Sequence, residues 1–222
     1  MRTAISILLS ATAPPLGAAT AHADPPPHFE YRDCPPIPSW ADPAEWRCED
    51  HVATGTLTVG GVGPIRVRII SMTHAEGPRP DGTSGQVFGR LQAAAERVPG
   101  TRLRLRPESA GPSDFLTPGG VINLRFRLTG PGLGRHCTLG SAGDPIPIRL
   151  TLAPGGPVQV SANPPIRRMQ GTDTTFAVPA ATGCGPATPR IDRRFGLPAA
   201  SGANRLAMTV TYSYKTYDRL PG

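Results

Sequence analysis

The chain has 222 residues, with 23 basic against 16 acidic side chains and a formal charge of +7. Proline (28) and glycine (26) together approach a quarter of it, and aromatic residues make up only 5%. That composition argues against a helical bundle and for a turn-rich fold whose core is built from Val, Ile, Leu and Ala. All but one of the basic residues are arginine, Lys215 being the exception. This bias reflects a GC-rich genome and is not by itself a sign of phosphate binding.

The N-terminus reads as an export leader. Arg2 supplies the positive start, Ala4 to Leu9 form a short apolar run, and Ala21-His22-Ala23 is a small-x-small cleavage site followed by Asp24 and three prolines. The run is too short to span a bilayer, which needs about 20 apolar residues. No later stretch is long and apolar enough either, so no transmembrane span is expected after cleavage. The expected organisation is a signal peptide over 1–23, a Pro/Trp-rich, disulfide-closed arm over 24–53, and a β-sandwich domain over 54–222, in a secreted, extracellular protein.

Cys34, Cys48, Cys137 and Cys184 all lie beyond the leader. An even number in an exported chain points to disulfides, with three pairings open. Proximity within the arm favours Cys34–Cys48, leaving Cys137–Cys184 to join two distant segments. Within the arm, Trp40 and Trp46 flank Asp42-Pro43, which has the chemistry of a helix start.

From Thr54 the apolar residues recur every second position. Leu57 and Val59 precede the Gly60-Gly61 turn, and Ile65, Val67 and Ile69 follow it, which predicts a hairpin. Residues 73–89 read as a Gly- and Pro-rich loop, and 86–98 fit either a short helix or a strand. Further strands are predicted at Leu103–Leu105, Ile122–Leu128, Ile146–Leu152, Val158–Ser161, Thr174–Val178 and Leu206–Tyr214, with one helical turn at Arg190–Phe195. Seven to nine antiparallel strands with little helix predict an all-β sandwich, a barrel being the alternative.

Catalytic signatures are absent from the sequence. There is no Gly-x-Ser-x-Gly elbow, and Ser141 and Ser201 sit in turn-like contexts. His28, His51, His74 and His136 read as scattered surface or turn residues, and no metal centre or cofactor is expected. The best carbohydrate-facing group is Asp42, Glu45, Glu49 and Asp50 beside Trp40 and Trp46, although packing of the arm explains the same residues. Arg66, Arg68, Arg102, Arg104, Arg106, Arg125, Arg127, Arg149 and Arg205 all fall on the polar phase of the alternation, with Arg66, Arg68, Arg102, Arg104, Arg125 and Arg127 the candidates for a ligand face. On neighbouring strands they would form one basic face for an anionic ligand. No aromatic rings interleave with them, so nucleic acid is not the expected partner.

The second half resembles a group of small secreted actinobacterial proteins with no established function. The residues that carry the likeness are His136-Cys137-Thr138-Leu139-Gly140-Ser141, Asp173 to Ala181, Gly183-Cys184-Gly185-Pro186 and Phe195 to Asn204. The resemblance implies an exported β domain with Cys137 paired to Cys184, and no catalytic residue. The expected function is a non-catalytic, envelope-associated binding or structural module, with an anionic envelope polymer or lipid headgroups as partner. The alternatives are an extracellular hydrolase of a sugar or ester, and a carrier of an apolar ligand.

Overall fold

The computed structural model describes residues 27–116 and 120–221. The leader read over 1–23 lies outside the described residues. The predicted hairpin is the longest element. β1 (Arg47–Val59) and β2 (Val62–Pro78) are antiparallel, with Val59 opposite Val62 across the Gly60-Gly61 turn. Gly60 has φ +49°, and a Cβ there would lie 2.0 Å from the Phe195 carbonyl, so both the turn and its close approach need glycine. β1 begins at Arg47, so the expected boundary between 53 and 54 falls inside a strand. The polar residues Arg47, Glu49 and His51 disguised its first half.

β2 and β3 (Ser84–Ala93) run through most of the stretch expected as a loop over 73–89, leaving a tight turn at 79–83. The ambiguous 86–98 segment is therefore strand: β3, then β4 (Glu96–Arg97). Next come β5 (Arg104–Ser109), β6 (Ile122–Thr129) and β7 (Thr138–Leu139).

The single strand expected over 146–152 is broken. β8 (Ile146–Ile148) pairs with β6, whereas β9 (Thr151–Leu152) pairs in the other sheet with β11 (Pro165–Asp173). The crossing is fixed by Asp173, which is 2% exposed. Its carboxylate accepts from Arg149 N–H at 2.6 Å and from Thr175 N–H at 2.7 Å. The second contact also turns the chain where a strand over 174–178 was expected, leaving there only a bridge from Val178 to Ala199.

β10 (Val158–Ala162), β12 (Ala181–Thr182), α1 (Thr188–Phe195) and β13 (Arg205–Thr216) complete the chain. Thirteen strands among the described residues exceed the expected seven to nine, because several are pieces of two or three residues.

The order β10-β11-β13-β1-β2-β3, with β9 also on β11, makes a seven-stranded sheet. The order β12-β7-β6-β5-β4, with β8 on β6, makes a six-stranded one. Ala53, Leu57, Ile65, Val67, Leu206, Met208 and Val210 from the first pack with Leu105, Leu124, Phe126, Leu128 and Ile146 from the second. This is the expected sandwich.

Both expected disulfides are present. Cys34–Cys48 closes the arm and Cys137–Cys184 staples β7 to the turn before α1. Loop closure over separations of 14 and 47 residues corresponds to about 3 and about 4 kcal/mol respectively. Gly183, at φ +66° beside the second bridge, would place a Cβ 2.3 Å from the His136 carbonyl.

The arm lies on the outer side of the seven-stranded sheet. Tyr31 Oη donates to Ser213 Oγ at 2.7 Å, and Thr73 Oγ1 donates to the Asp33 carbonyl at 2.6 Å. The expected helix start at Asp42 is a single turn, with Asp42 Oδ1 accepting from Ala44 N–H at 2.8 Å.

Asn204 joins separate parts of the chain. Its Nδ2 donates to the carbonyls of Phe176, Ala200 and Ala199 at 2.9, 3.1 and 3.3 Å, and its Oδ1 accepts from Gly60 N–H at 2.9 Å. The side chain is 2% exposed. The Ala199 and Ala200 carbonyls also accept from Val178 and Ala203 N–H, but Asn204→Ala takes the side-chain partner from the Gly60 N–H and the Phe176 carbonyl and is expected to lower the unfolding free energy by about 2 kcal/mol, measured by urea denaturation.

Candidate functional sites on two faces of the sandwich

β5 and β6 place the predicted arginines by simple alternation. Leu105, Leu124, Phe126 and Leu128 point into the core, so Arg104, Arg106, Glu108, Arg125 and Arg127 take the outer face. Arg106 stands opposite Arg127, Glu108 opposite Arg125, and Arg97 of β4 opposite Arg104. Like charges directly opposed across strands repel. Glu108 relieves this by accepting from Arg127 Nε at 2.6 Å, Arg106 Nη2 at 2.7 Å and Arg125 Nε at 3.0 Å. Burial raises its carboxyl, but the three guanidiniums lower it further and hold it at about 2.

The six arginines of the expected face do not all meet. Arg104, Arg125 and Arg127 share the six-stranded sheet, and Arg102 lies in the turn before β5. Arg66 and Arg68 belong to β2 in the other sheet. Arg68 Nε reaches from there to Glu96 of β4, in the six-stranded sheet, at 3.0 Å. Phase within a strand was legible, but the sheet to which each strand belongs was not. Arg97 and Arg106 join the face and Glu108 organises it.

The second group lies inside the sandwich, at the end of the apolar core. β1 carries Arg47, Glu49 and His51 at alternate positions, in phase with the inward Ala53 and Leu57. β2 sets His74 opposite Glu49 and Glu76 opposite Arg47, while β13 sets Tyr212 opposite His51 and Tyr214 opposite Glu49. Glu49 Oε2 is 3.3 Å from His51 Nε2 and 3.9 Å from His74 Nε2. His74 Nε2 is also 3.6 Å from Glu76 Oε2. Arg47 Nε is 3.0 Å from Glu49 Oε1, and its Nη2 pairs with Glu76.

The rings form a stack. Tyr212 lies 5.1 Å from His51 at 12°, His51 lies 5.1 Å from His74, and Phe115 covers His74 at 4.4 Å and 21°. Phe115 is held by its N–H on Gln86 Oε1 at 2.9 Å. A cleft of about 260 Å³ runs along this group.

Burial lowers the His51 imidazole against the raising effect of Glu49. Burial raises Glu49, but the neighbouring His51, His74 and Arg47 outweigh it, and the carboxyl lies below its ordinary value. Glu76 is lowered chiefly by the approach of His74. Among the described residues, His51 Nε2 and both ring nitrogens of His74 are buried without a hydrogen-bond partner.

This corrects the reading of the histidines as scattered surface or turn residues. His51 and His74 are neighbours inside the protein, 7% and 2% exposed. The missed signal was Arg47-x-Glu49-x-His51 together with His74-x-Glu76, two polar alternations in phase with buried positions.

The acids expected beside the tryptophans separate. Asp42 caps its turn, Glu49 points to the histidines, and Asp50 accepts from Tyr31 N–H at 3.3 Å on the opposite side of the sheet. Trp46 is buried, with its Nε1 donating to the Pro78 carbonyl at 2.9 Å, and Trp40 rests edge-on against it at 5.6 Å. Comparison with protein-family models, curated proteins and solved structures returned no match.

Because the folded Glu108 carboxyl sits at about 2 against an ordinary 4.5, its contribution is complete above about pH 4.5. It is lost as pH falls toward 2. The urea midpoint of the wild type is therefore expected to fall more steeply over that window than that of Glu108→Gln. Parallel curves would remove the shared carboxylate as a stabilising element.

Proposed function

We propose that the protein is an exported, non-catalytic module that holds an anionic envelope polymer against the outer face of the six-stranded sheet. The observation that carries this reading is five guanidiniums, Arg97, Arg104, Arg106, Arg125 and Arg127, arrayed on that face with one carboxylate among them. A guanidinium has five N–H donors in a planar fork. Three of them sharing Glu108 keep donors available for phosphate or carboxylate oxygens.

The formal charge of +7 draws a polyanion toward the protein over a range set by salt. No aromatic side chain stands on the arginine-bearing phase of β4 to β6, so bases have no stacking platform, and a polymer with charged, non-aromatic repeats fits better. Two disulfides point to an oxidising compartment, and the leader read over 1–23 supports secretion. No helix among the described residues is long and apolar enough to cross a membrane.

The alternatives have less support. A hydrolase built on the Trp-flanked acids would need them together, and they face different sides of the sheet. The apolar cavity between the sheets, beside His51, Met72, Met169 and Met208, has about 90 Å³. Pockets that enclose a small-molecule ligand typically run to about 300–1,000 Å³, which disfavours the carrier.

The test is retention of the mature, tag-free protein on immobilised poly(glycerol phosphate) as sodium chloride is raised. Binding is expected to weaken steeply with salt. Arg106→Gln/Arg127→Gln should lower affinity about tenfold and flatten the salt dependence, since fewer counterions are released. Glu108→Gln, which removes the competing carboxylate, should strengthen binding. Arg66→Gln, on the other sheet, should leave it unchanged. Salt-independent retention, or equal loss in the Arg66 and Arg106/Arg127 variants, overturns the assignment. Stronger retention on anionic lipid vesicles than on the polymer would replace the partner.

A further inference from the structure

We propose that Glu49, His51 and His74 form a binding site for one divalent transition-metal ion of the zinc or copper class. It uses different residues from the arginine face and lies within the sandwich, on the inner side of the seven-stranded sheet, so either assignment can fail alone.

Three donor atoms, a carboxylate oxygen and two imidazole nitrogens, lie within 4.8 Å of one another. Ligands about 2.0–2.2 Å from a tetrahedral ion stand roughly 3.3–3.6 Å apart. The separations from Glu49 Oε2, 3.3 Å to His51 Nε2 and 3.9 Å to His74 Nε2, bracket that range. Closing the His74 separation by a few tenths of an ångström brings both carboxylate–imidazole distances into that range.

The unpartnered ring nitrogens are the second observation. A buried polar atom with no partner costs about 1–3 kcal/mol, and such atoms are rare in folded proteins. Here three imidazole nitrogens on two adjacent histidines are in that state among the described residues, and two of them, His51 Nε2 and His74 Nε2, face the Glu49 carboxylate. A cation taking one lone pair from each imidazole gives His51 Nε2 and His74 Nε2 a partner.

The surroundings fit a metal centre. Glu49 and His51 are two apart on one strand and His74 is directly across from Glu49, so the backbone presets all three. Arg47 Nε engages Glu49 Oε1 and leaves Oε2 directed at the histidines, the kind of outer contact that orients ligating carboxylates. Arg47 is itself balanced by Glu76. With neutral imidazoles the group therefore carries one excess negative charge, which favours a dication. Imidazole and carboxylate donors select zinc, copper or nickel over calcium or magnesium. Three protein ligands leave a coordination position for water or an exogenous group in the adjoining cleft.

Isothermal titration of the chelator-treated, tag-free mature protein with Zn²⁺ tests the site. One equivalent is expected to bind with a dissociation constant in the micromolar range or below. It should raise the melting temperature by several degrees. His51→Gln and His74→Gln should each weaken binding at least a hundredfold. His136→Gln, at an exposed histidine outside the cluster, should not. Co²⁺ supplies a readout independent of stability, since loading is expected to give the visible absorption of a low-symmetry tetrahedral centre, lost in Glu49→Gln.

If a histidine variant fails to fold, X-ray absorption of the zinc-loaded wild type decides. Two imidazoles and one carboxylate oxygen at about 2.0–2.2 Å support the site. No saturable binding up to millimolar Zn²⁺ and Cu²⁺ overturns it, as does binding unchanged in the doubly substituted His51→Gln/His74→Gln protein.

Discussion

β1 pairs along its whole length with β13 on one side and with β2 on the other. In a strand so enclosed, side chains can only alternate between two faces. The inward phase carries Leu57 and Ala53 at one end, then His51, Glu49 and Arg47 at the other. The outward phase carries Cys48, which anchors the arm through Cys34, and Asp50, which receives the Tyr31 backbone. A one-residue slip of β1 would turn Cys48 toward the core and Glu49 and His51 away from it, parting them from His74 on β2. The apolar core, the arm and the buried polar cluster therefore depend on one register.

The two candidate sites treat buried or crowded charge differently. On the six-stranded sheet, repulsion among guanidiniums is moderated by one partly buried carboxylate, and the remaining field opens to water. Inside the seven-stranded sheet, Arg47 satisfies carboxylates of both Glu49 and Glu76, while the imidazoles keep unfilled donor and acceptor capacity. Aromatic faces pack on either side, Tyr212 on His51 and Phe115 on His74, and the two imidazoles tilt by 33° to each other. Open charge has the chemistry for a large polyanion, whereas preset imidazoles have the chemistry for a borderline-soft transition-metal ion.

Side-chain–backbone bonds replace some of the regular secondary structure. Asp173 carries the chain from one sheet to the other, and Asn204 gathers Gly60, Phe176, Ala199 and Ala200. With few aromatics available, such buried amides and carboxylates hold the loops at the end of the sandwich to the core, and the Cys137–Cys184 bridge secures the neighbouring turn.

The sequence by itself determined the all-β class, the first hairpin and the long last strand, and favoured the two disulfide pairings that formed out of three possible sets. Those features follow from local alternation, turn chemistry and the placement of four cysteines along the chain. It also determined the outward phase of Arg104, Arg125 and Arg127. Tertiary structure decided which strands became neighbours, and so which charges met. Arg66 and Arg68 went to one sheet and the other arginines to the second, because strand partnering depends on long-range pairing that no local period encodes. It decided, too, that His51 and His74 should lie side by side. They are 23 positions apart in the chain, and only the antiparallel register of β1 with β2 converts that separation into a distance of a few ångströms.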